Sequence, residues 1–112
     1  MPSYMLQVTY TQEMIKAAIA NPKDRTQHIS KVIENLGGTM HGIWFCLGDY
    51  DVVTIYDLPD NEAAAALSLA VSGGGAVKHI KTTPLLSVAE AFSAMYKAHD
   101  CGYAPMKIDK QG

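Results

Sequence analysis

The chain has 112 residues and a formal net charge of −2, which suits a single domain and leaves no basic run for a nucleic-acid interface. No apolar stretch reaches the roughly 18 residues that span a bilayer, so we expect no membrane partner. Hydrophobic residues make up 48% and charged residues only 18%, a balance that favours a homo-oligomer with a buried interface.

The number of cysteines and the N-terminal residues help to predict the cellular compartment. Cys46 and Cys101 are too few for a disulfide framework and fit a reducing environment. The N-terminal residues lack the basic region and apolar run of a secretory signal. We therefore expect a cytoplasmic protein.

The first third of the chain predicts a strand and then a helix that is interrupted by proline. Residues 4–10 alternate and are rich in β-branched and aromatic types, which is typical of a strand. Thr11 can cap the helix that follows, and Pro22 either kinks or splits it. Asn21 is predicted as a second N-cap with Pro22 at the first helical position, and Gly37-Gly38 ends the helix.

The rest of the chain predicts three more strands and two more helices. Gly48-Asp49 lies between two apolar runs and predicts a two-residue hairpin turn. Asp60 is predicted to cap an alanine-rich helix, and Ser87 and Glu90 form a capping box for the last one. The predicted elements are strands at about 39–47, 50–58 and 76–82, a helix through 63–71 and a helix from 88 to 99.

The order β-α-β-β-α-β with an added helix predicts an α+β, ferredoxin-like fold. Its four-stranded antiparallel sheet has the spatial order 4-1-3-2 and carries both main helices on one face. We expect one domain over residues 1–99 and a tail over residues 100–112 that is loose or docks on a partner subunit. The uncovered face would carry Met5, Trp44 and Tyr56, so pairing two such faces predicts a dimeric α/β barrel.

Side-chain alternation assigns each strand residue either to the helices or to the barrel interior. In the fourth strand either Val77, His79 and Lys81 or Ala76, Lys78 and Ile80 face the interior. The residues predicted to face the helices are Leu6, Val8, Ile43, Phe45, Leu47, Val53 and Ile55. Those predicted to face the interior are Gln7, Thr9, Gly42, Trp44, Cys46, Val52, Thr54 and Tyr56.

Four segments between Tyr4 and about Met95 occur in an order that resembles the GYD-domain family. They are Leu36-Gly37-Gly38, Gly48-Asp49-Tyr50-Asp51-Val52-Val53, Asp57-Leu58-Pro59-Asp60-Asn61 and Lys81-Thr82-Thr83-Pro84-Leu85-Leu86. That family is similar to the dimeric α/β-barrel superfamily, which includes small monooxygenases and muconolactone isomerase-like enzymes. The resemblance implies a ferredoxin-like fold and a homodimer or higher homo-oligomer, and it brings no catalytic residues.

Candidate site residues come from the predicted interior face and its rim. Imidazole and carboxylate groups can transfer protons, which makes four residues catalytic candidates. The alternative is that the aspartates only bond turn N–H groups and that the aromatic residues fill the dimer core. The binding candidates are Gln7, Thr9, Trp44, Cys46, Thr54, Tyr56 and Tyr50, and the catalytic candidates are His79, His41, Asp49 and Asp51.

The histidines do not show the spacing of a metal site. No pair of them has the i, i+4 or close Cys/His arrangement that typically marks a metal-binding segment, so we expect no metal. No cofactor-binding pattern is present either, and the glycines at 73–75 follow a helix rather than a strand, which is the wrong order for a phosphate loop.

Two functions remain open on the sequence alone. The first is a homo-oligomeric barrel that binds a partly apolar metabolite, either without chemistry or as an isomerase- or monooxygenase-like enzyme that needs no cofactor. The second is a structural or regulatory homo-oligomer without catalysis.

Overall fold

A four-stranded antiparallel sheet organises the protein in the computed structural model, which describes residues 1–107. Its strand order is β2-β3-β1-β4, which confirms the predicted α+β, ferredoxin-like arrangement and its 4-1-3-2 order. The predicted tail lies partly outside the described residues, because it includes residues 108–112. The elements are β1 (Ser3–Tyr10), α1 (Gln12–Ala20), α2 (Thr26–Asn35), β2 (Thr39–Phe45), β3 (Val52–Asp57), α3 (Asn61–Gly73), β4 (Val77–Leu85) and α4 (Val88–Asp100).

The first helical region is split rather than kinked. Thr11 caps α1 as predicted, since its hydroxyl accepts a hydrogen bond from the Met14 N–H at 3.1 Å. The predicted second N-cap is wrong: Asn21 ends α1, and α2 begins only at Thr26. Asp24 accounts for the later start, because its carboxylate accepts bonds from both the N–H and the hydroxyl of Thr26.

The core lies between the sheet and the helices α2 and α3. Buried residues of β1 alternate along the strand, with Tyr4, Leu6 and Val8 facing the helices as the spacing predicts. Ile33 of α2 and Leu67 of α3 pack onto them. The buried face of β1 therefore determines which face of each neighbouring strand is buried.

The predicted orientation of β3 is wrong. Tyr56 pairs with Tyr4 and Thr54 pairs with Leu6, and directly opposite residues share a face. Tyr56 and Thr54 therefore point into the helix-side core, where their exposures are 0% and 4%. Contrary to the prediction, Val52, Thr54 and Tyr56 face the helices. Val53 and Ile55 lie on the opposite face of the sheet.

The connection between β2 and β3 is longer than the predicted two-residue turn. The Cys46 N–H bonds to the carbonyl of Asp51 at 2.9 Å, which closes a loop over residues 47–50. Gly48 has a φ of 111°, a value that residues with a Cβ rarely adopt. Leu47 is fully exposed in this loop and Phe45 is also exposed at the sheet edge, so neither packs on the helices as predicted.

The helix α4 stands away from the rest of the fold. Its capping box is present as predicted, with bonds of 3.0 Å in both directions between Ser87 and Glu90. None of its residues is buried, and its apolar side chains, such as Phe92 and Met95, are more than half exposed. The radius of gyration is 18.9 Å, against about 13 Å for a compact chain of this length.

Among residues 1–107, no helix combines the length and the hydropathy that crossing a lipid bilayer requires.

Candidate functional site

The sheet face that carries no helix is called the open face here, and it combines apolar and polar side chains. Opposite residues connect Trp44, Val53, Gln7 and Lys81 into one row across all four strands. In β4, His79 and Lys81 lie opposite Thr9 and Gln7 on this face, whereas Val77, beyond a register shift, lies opposite Tyr10 and borders the helix side, so neither predicted alternative holds in full. The open face includes Met5, Gln7 and Thr9 on β1, Gly42 and Trp44 on β2, Val53 and Ile55 on β3, and His79, Lys81 and Thr83 on β4, with Ser3 and Asp57 at its other end.

Trp44 lies on the open face as predicted, with its indole folded back along its own strand. A Cβ at Gly42 would come within 2.5 Å of the indole Cη2, so only glycine leaves room for the ring there. The side chain is still 51% exposed, because nothing in residues 1–107 covers its outer side. The ring therefore offers a flat aromatic surface at one edge of the sheet.

The loop over residues 47–50 folds over one end of the open face. The Tyr50 ring stacks on the His79 ring, with centroids 5.7 Å apart and planes 28° from parallel. The loop is fixed at two points: the Thr9 hydroxyl donates to the Asp49 carbonyl at 2.7 Å, and the Cys46 thiol lies 3.2 Å from the Tyr50 carbonyl. Four predicted site residues thus meet here, namely Thr9, Cys46, Tyr50 and His79.

The two aspartates of this loop have different surroundings. Asp51 is structural, since its carboxylate accepts a hydrogen bond from the Tyr10 N–H at 2.8 Å and its own N–H donates to the Val8 carbonyl. Asp49 is exposed, and Thr9 bonds to its backbone rather than to its carboxylate. Of the catalytic candidates, His79 is therefore the one that joins the cluster on the open face.

His41 belongs to a second polar group at the opposite end of the sheet. Its Nε2 lies 2.9 Å from the Asp57 carboxylate, which also accepts a bond from the Ser3 hydroxyl at 2.6 Å. The Ser3 bond and then His41 hold the pKa of Asp57 below its usual value. This is not the relay of a serine hydrolase, because the serine bonds to the carboxylate and not to the imidazole.

His41 and His79 do not come together within one copy, since β2 and β4 form opposite edges of the sheet. Ser3 and Asp57 were missing from the sequence prediction. Only the pairing of Ser3 with Asp57 across β1 and β3 reveals them.

Two predicted ligand contacts lie on the wrong face for the open-face site. Tyr56 stacks on Tyr4 in the core, and burial raises the pKa of its hydroxyl to about 12. That hydroxyl has no hydrogen-bond partner among the described residues. Thr54 instead borders a cavity of about 380 Å³ between the sheet and the helices.

The sequence prediction missed this cavity. Its sequence signal is the run of small residues where α3 ends and β4 begins, which leaves the space between helix and sheet unfilled. The small residues that border it are Ala70, Gly74 and Ala76.

Within residues 1–107, no three His, Cys, Asp or Glu side chains lie close enough together to hold a metal ion. Cys46 and Cys101 are both free thiols. The chemistry that the described residues offer is therefore proton transfer at His79, hydrogen bonding by Gln7 and Thr9, and aromatic contact.

Comparisons with known proteins give a family and a fold. The structure is similar to the crystal structure of TTHA0845 from Thermus thermophilus, with a TM-score of 0.50 and 16% sequence identity over 79% of this chain and 96% of that one. At this identity the likeness concerns the fold alone. A search of curated proteins finds no match. The family model of the GYD domain matches residues 4–95, in agreement with the order of segments noted in the sequence, and the chain belongs to the GYD-domain family.

Proposed function

We propose that the protein is a homo-oligomer that pairs its open faces and binds a small, partly apolar molecule in the space between them. The observation that carries this proposal is the composition of the open face. Met5, Val53 and Ile55 remain only half-buried there and Trp44 is exposed, which is an unusual surface for an isolated small domain. A second copy would remove these side chains from water.

The cluster at Tyr50 and His79 is the proposed centre of the ligand site. Gln7 and Thr9 lie on the neighbouring strand and supply hydrogen-bonding groups, while Trp44 and Ile55 supply apolar contact. A few polar groups on an otherwise apolar wall are typical of small-molecule sites. The imidazole of His79 would be the general acid or base that an isomerase- or monooxygenase-like reaction without a cofactor would use.

The helix α4 supports the oligomer independently of the sheet. Phe92, Met95 and Tyr96 are spaced along one side of it and are all more than half exposed. A helix that buries none of its own residues gains little from its own domain. A partner subunit would give this apolar side something to pack against.

The alternative function is a structural or regulatory homo-oligomer. It is favoured by the placement of Trp44, because a large ring lying flat over Gly42 could fill the space between two paired faces. In that case the face would be an interface and not a site.

The assembly is tested by sedimentation of the wild-type protein and two variants over a range of concentrations. Trp44→Ala removes an aromatic side chain from the open face and should weaken association by at least about tenfold, since aromatic anchors dominate interfaces. Leu69→Ala is the control: Leu69 is also exposed, on α3, but lies away from the open face and should leave association unchanged. A monomeric wild-type protein, or equal effects of both variants, would refute the proposed interface.

The ligand is tested by native mass spectrometry of protein purified under mild conditions. A retained small molecule that is lost in His79→Gln or Tyr50→Phe, while the oligomer persists, would support a binding site at this cluster. An oligomer of bare subunits whose paired faces have no remaining space would favour the structural alternative.

A further inference from the structure

The cavity between the sheet and the helices is a second, separate candidate site. It has a volume of about 380 Å³, within the range of small-molecule pockets. Its walls come from all four strands and from the helices α2 and α3, and they are mostly aliphatic. The residues that form most of the wall are Leu6, Val8, Ile29, Val32, Leu67 and Val71.

Two basic side chains lie at the mouth of the cavity. Arg25 and His28, at the start of α2, both line the cavity and are both exposed to solvent. Arg25 forms no ion pair with any acid in residues 1–107. Tyr10 also lines the cavity, with a partly buried side chain.

Two acids adjoin the residues of this mouth, and each accepts hydrogen bonds from other groups. Asp24 precedes Arg25 and accepts two hydrogen bonds from Thr26, at 2.9 and 2.6 Å. Asp51 accepts the Tyr10 N–H at 2.8 Å. Neither acid lies within ion-pair distance of Arg25, so its guanidinium group is open to a ligand.

The cavity is open to solvent at Arg25, His28 and Ala70, and aliphatic side chains that line it, such as Val32 and Val71, are only half-buried. Water would find few partners along the aliphatic part of the wall, because the polar side chains among the lining residues are Tyr10, Arg25, His28 and Thr54. An alkyl chain would make apolar contact with the aliphatic side chains of the wall. A single negative charge at the end of that chain would lie next to Arg25 and His28.

We propose that this cavity binds a medium-chain aliphatic carboxylate, with its chain between α2 and α3 and its carboxylate at Arg25 and His28. Arg25 can present two parallel N–H donors to the carboxylate, and His28 adds a third. This site faces away from the open face and does not depend on the function proposed there.

The first test is titration calorimetry of the full chain with octanoate, decanoate and dodecanoate, all below the concentrations at which they form micelles. Affinity should increase about fourfold for each added methylene until the cavity is full. Decanol, which has a similar chain but no charge, should bind more weakly than decanoate. The absence of saturable binding by all three acids would overturn the proposal.

The second test uses variants at the mouth. Arg25→Gln should weaken decanoate binding by about tenfold or more and leave decanol binding nearly unchanged. Lys31→Gln is the matched control, because it removes the same charge from the exposed side of α2, beside Glu34, and should leave both ligands unaffected. Equal losses in the two variants would mean that only the overall charge matters and would overturn the assigned site.

The third test blocks the cavity. Ala70 lies at the mouth and is exposed, so Ala70→Phe adds a ring there without replacing a core side chain. It should abolish binding of both decanoate and decanol while the thermal transition is kept. Undiminished binding would show that the ligands bind elsewhere, and if this variant failed to fold, the comparison of Arg25→Gln with Lys31→Gln would decide.

Discussion

Replacing Tyr56 with phenylalanine should make the protein more stable, although it deletes a polar group from the core. Tyr56 is fully buried, and its hydroxyl has no hydrogen-bond partner among the described residues. A buried hydroxyl without a partner costs about 1–3 kcal/mol relative to water. Tyr56→Phe removes that cost and leaves the ring that packs on Tyr4.

The expected gain is about 1 kcal/mol after the opposing term is subtracted. Deleting one oxygen leaves a small void, which costs a few tenths of a kcal/mol at roughly 24 cal/mol per Å³ of cavity. For a domain of this size, a gain of about 1 kcal/mol corresponds to an increase of about 4 °C in Tm.

Tyr4 provides a matched control in the same core. Its ring is also buried, with its centroid 6.0 Å from that of Tyr56, but its hydroxyl donates to the Asn61 side chain at 2.8 Å. Tyr4→Phe should therefore lose about 1 kcal/mol, the net value of one hydrogen bond. The two substitutions are chemically identical, so their opposite signs isolate the effect of the partner.

Urea unfolding of the wild type and both variants measures these differences. The slope against urea should be the same in all three, so that a shifted midpoint reports stability alone. A loss of about 1 kcal/mol or more in Tyr56→Phe would show that its hydroxyl is hydrogen-bonded and would refute the reasoning.

Alkaline pH gives a second measurement on Tyr56. Burial raises the pKa of its hydroxyl to about 12, whereas an unfolded tyrosine ionises near 10. As the pH rises, Tyr56 therefore loses its proton first in the unfolded state. Its contribution to the free energy of unfolding is intact below about pH 10. It falls by about 1.4 kcal/mol per pH unit as the pH rises towards 12. Tyr56→Phe should flatten this decline.

Three other substitutions test contacts outside the core. Asp51→Ala should cost about 1–2 kcal/mol, because it leaves the Tyr10 N–H without its acceptor, while Asp49→Ala should cost less than about 0.5 kcal/mol in the same urea assay. Asp57 has a lowered pKa, so its contribution to stability is present above about pH 4 and is lost as the pH falls. Asp57→Asn should reduce the loss of stability at acid pH by less than about 1 kcal/mol, since the His41–Asp57 pair is partly exposed. Ser87→Ala should lower the helical circular dichroism by weakening α4 by about 1 kcal/mol, and an altered unfolding midpoint of the core would contradict the separateness of that helix.

The sequence predicted the order of elements and the strand order because helix caps and glycines mark the boundaries clearly. Thr11, Asp60 and Ser87 all accept the capping bonds that their positions predict. The sequence predicts a helix that starts at Pro22, but α2 starts at Thr26. The competing bonds from Thr26 to Asp24 are visible only in three dimensions.

The orientation of β3 could not be read from its own residues. Val53 and Ile55 on one side are as apolar as Val52 and Tyr56 on the other, so alternation gives no preference between the two faces. Pairing with Tyr4 and its neighbours on β1 decides the matter. For the same reason the sequence predicts Thr54 and Tyr56 on the face that carries Trp44, whereas they lie on the opposite one.

The position of β1 at the centre of the sheet has a consequence for how the chain folds. Ser3 pairs with Asp57 on one side and with Leu85 on the other, so the first strand finds no neighbour close to it in sequence. Within residues 1–107, only the β2–β3 hairpin pairs strands that follow each other closely in sequence. Such a high contact order slows folding, because the entropy of closing long loops is lost before the pairing compensates for it. During synthesis, the apolar side of β1 therefore stays uncovered until nearly the whole domain has been made. In this period the chain is most prone to aggregation.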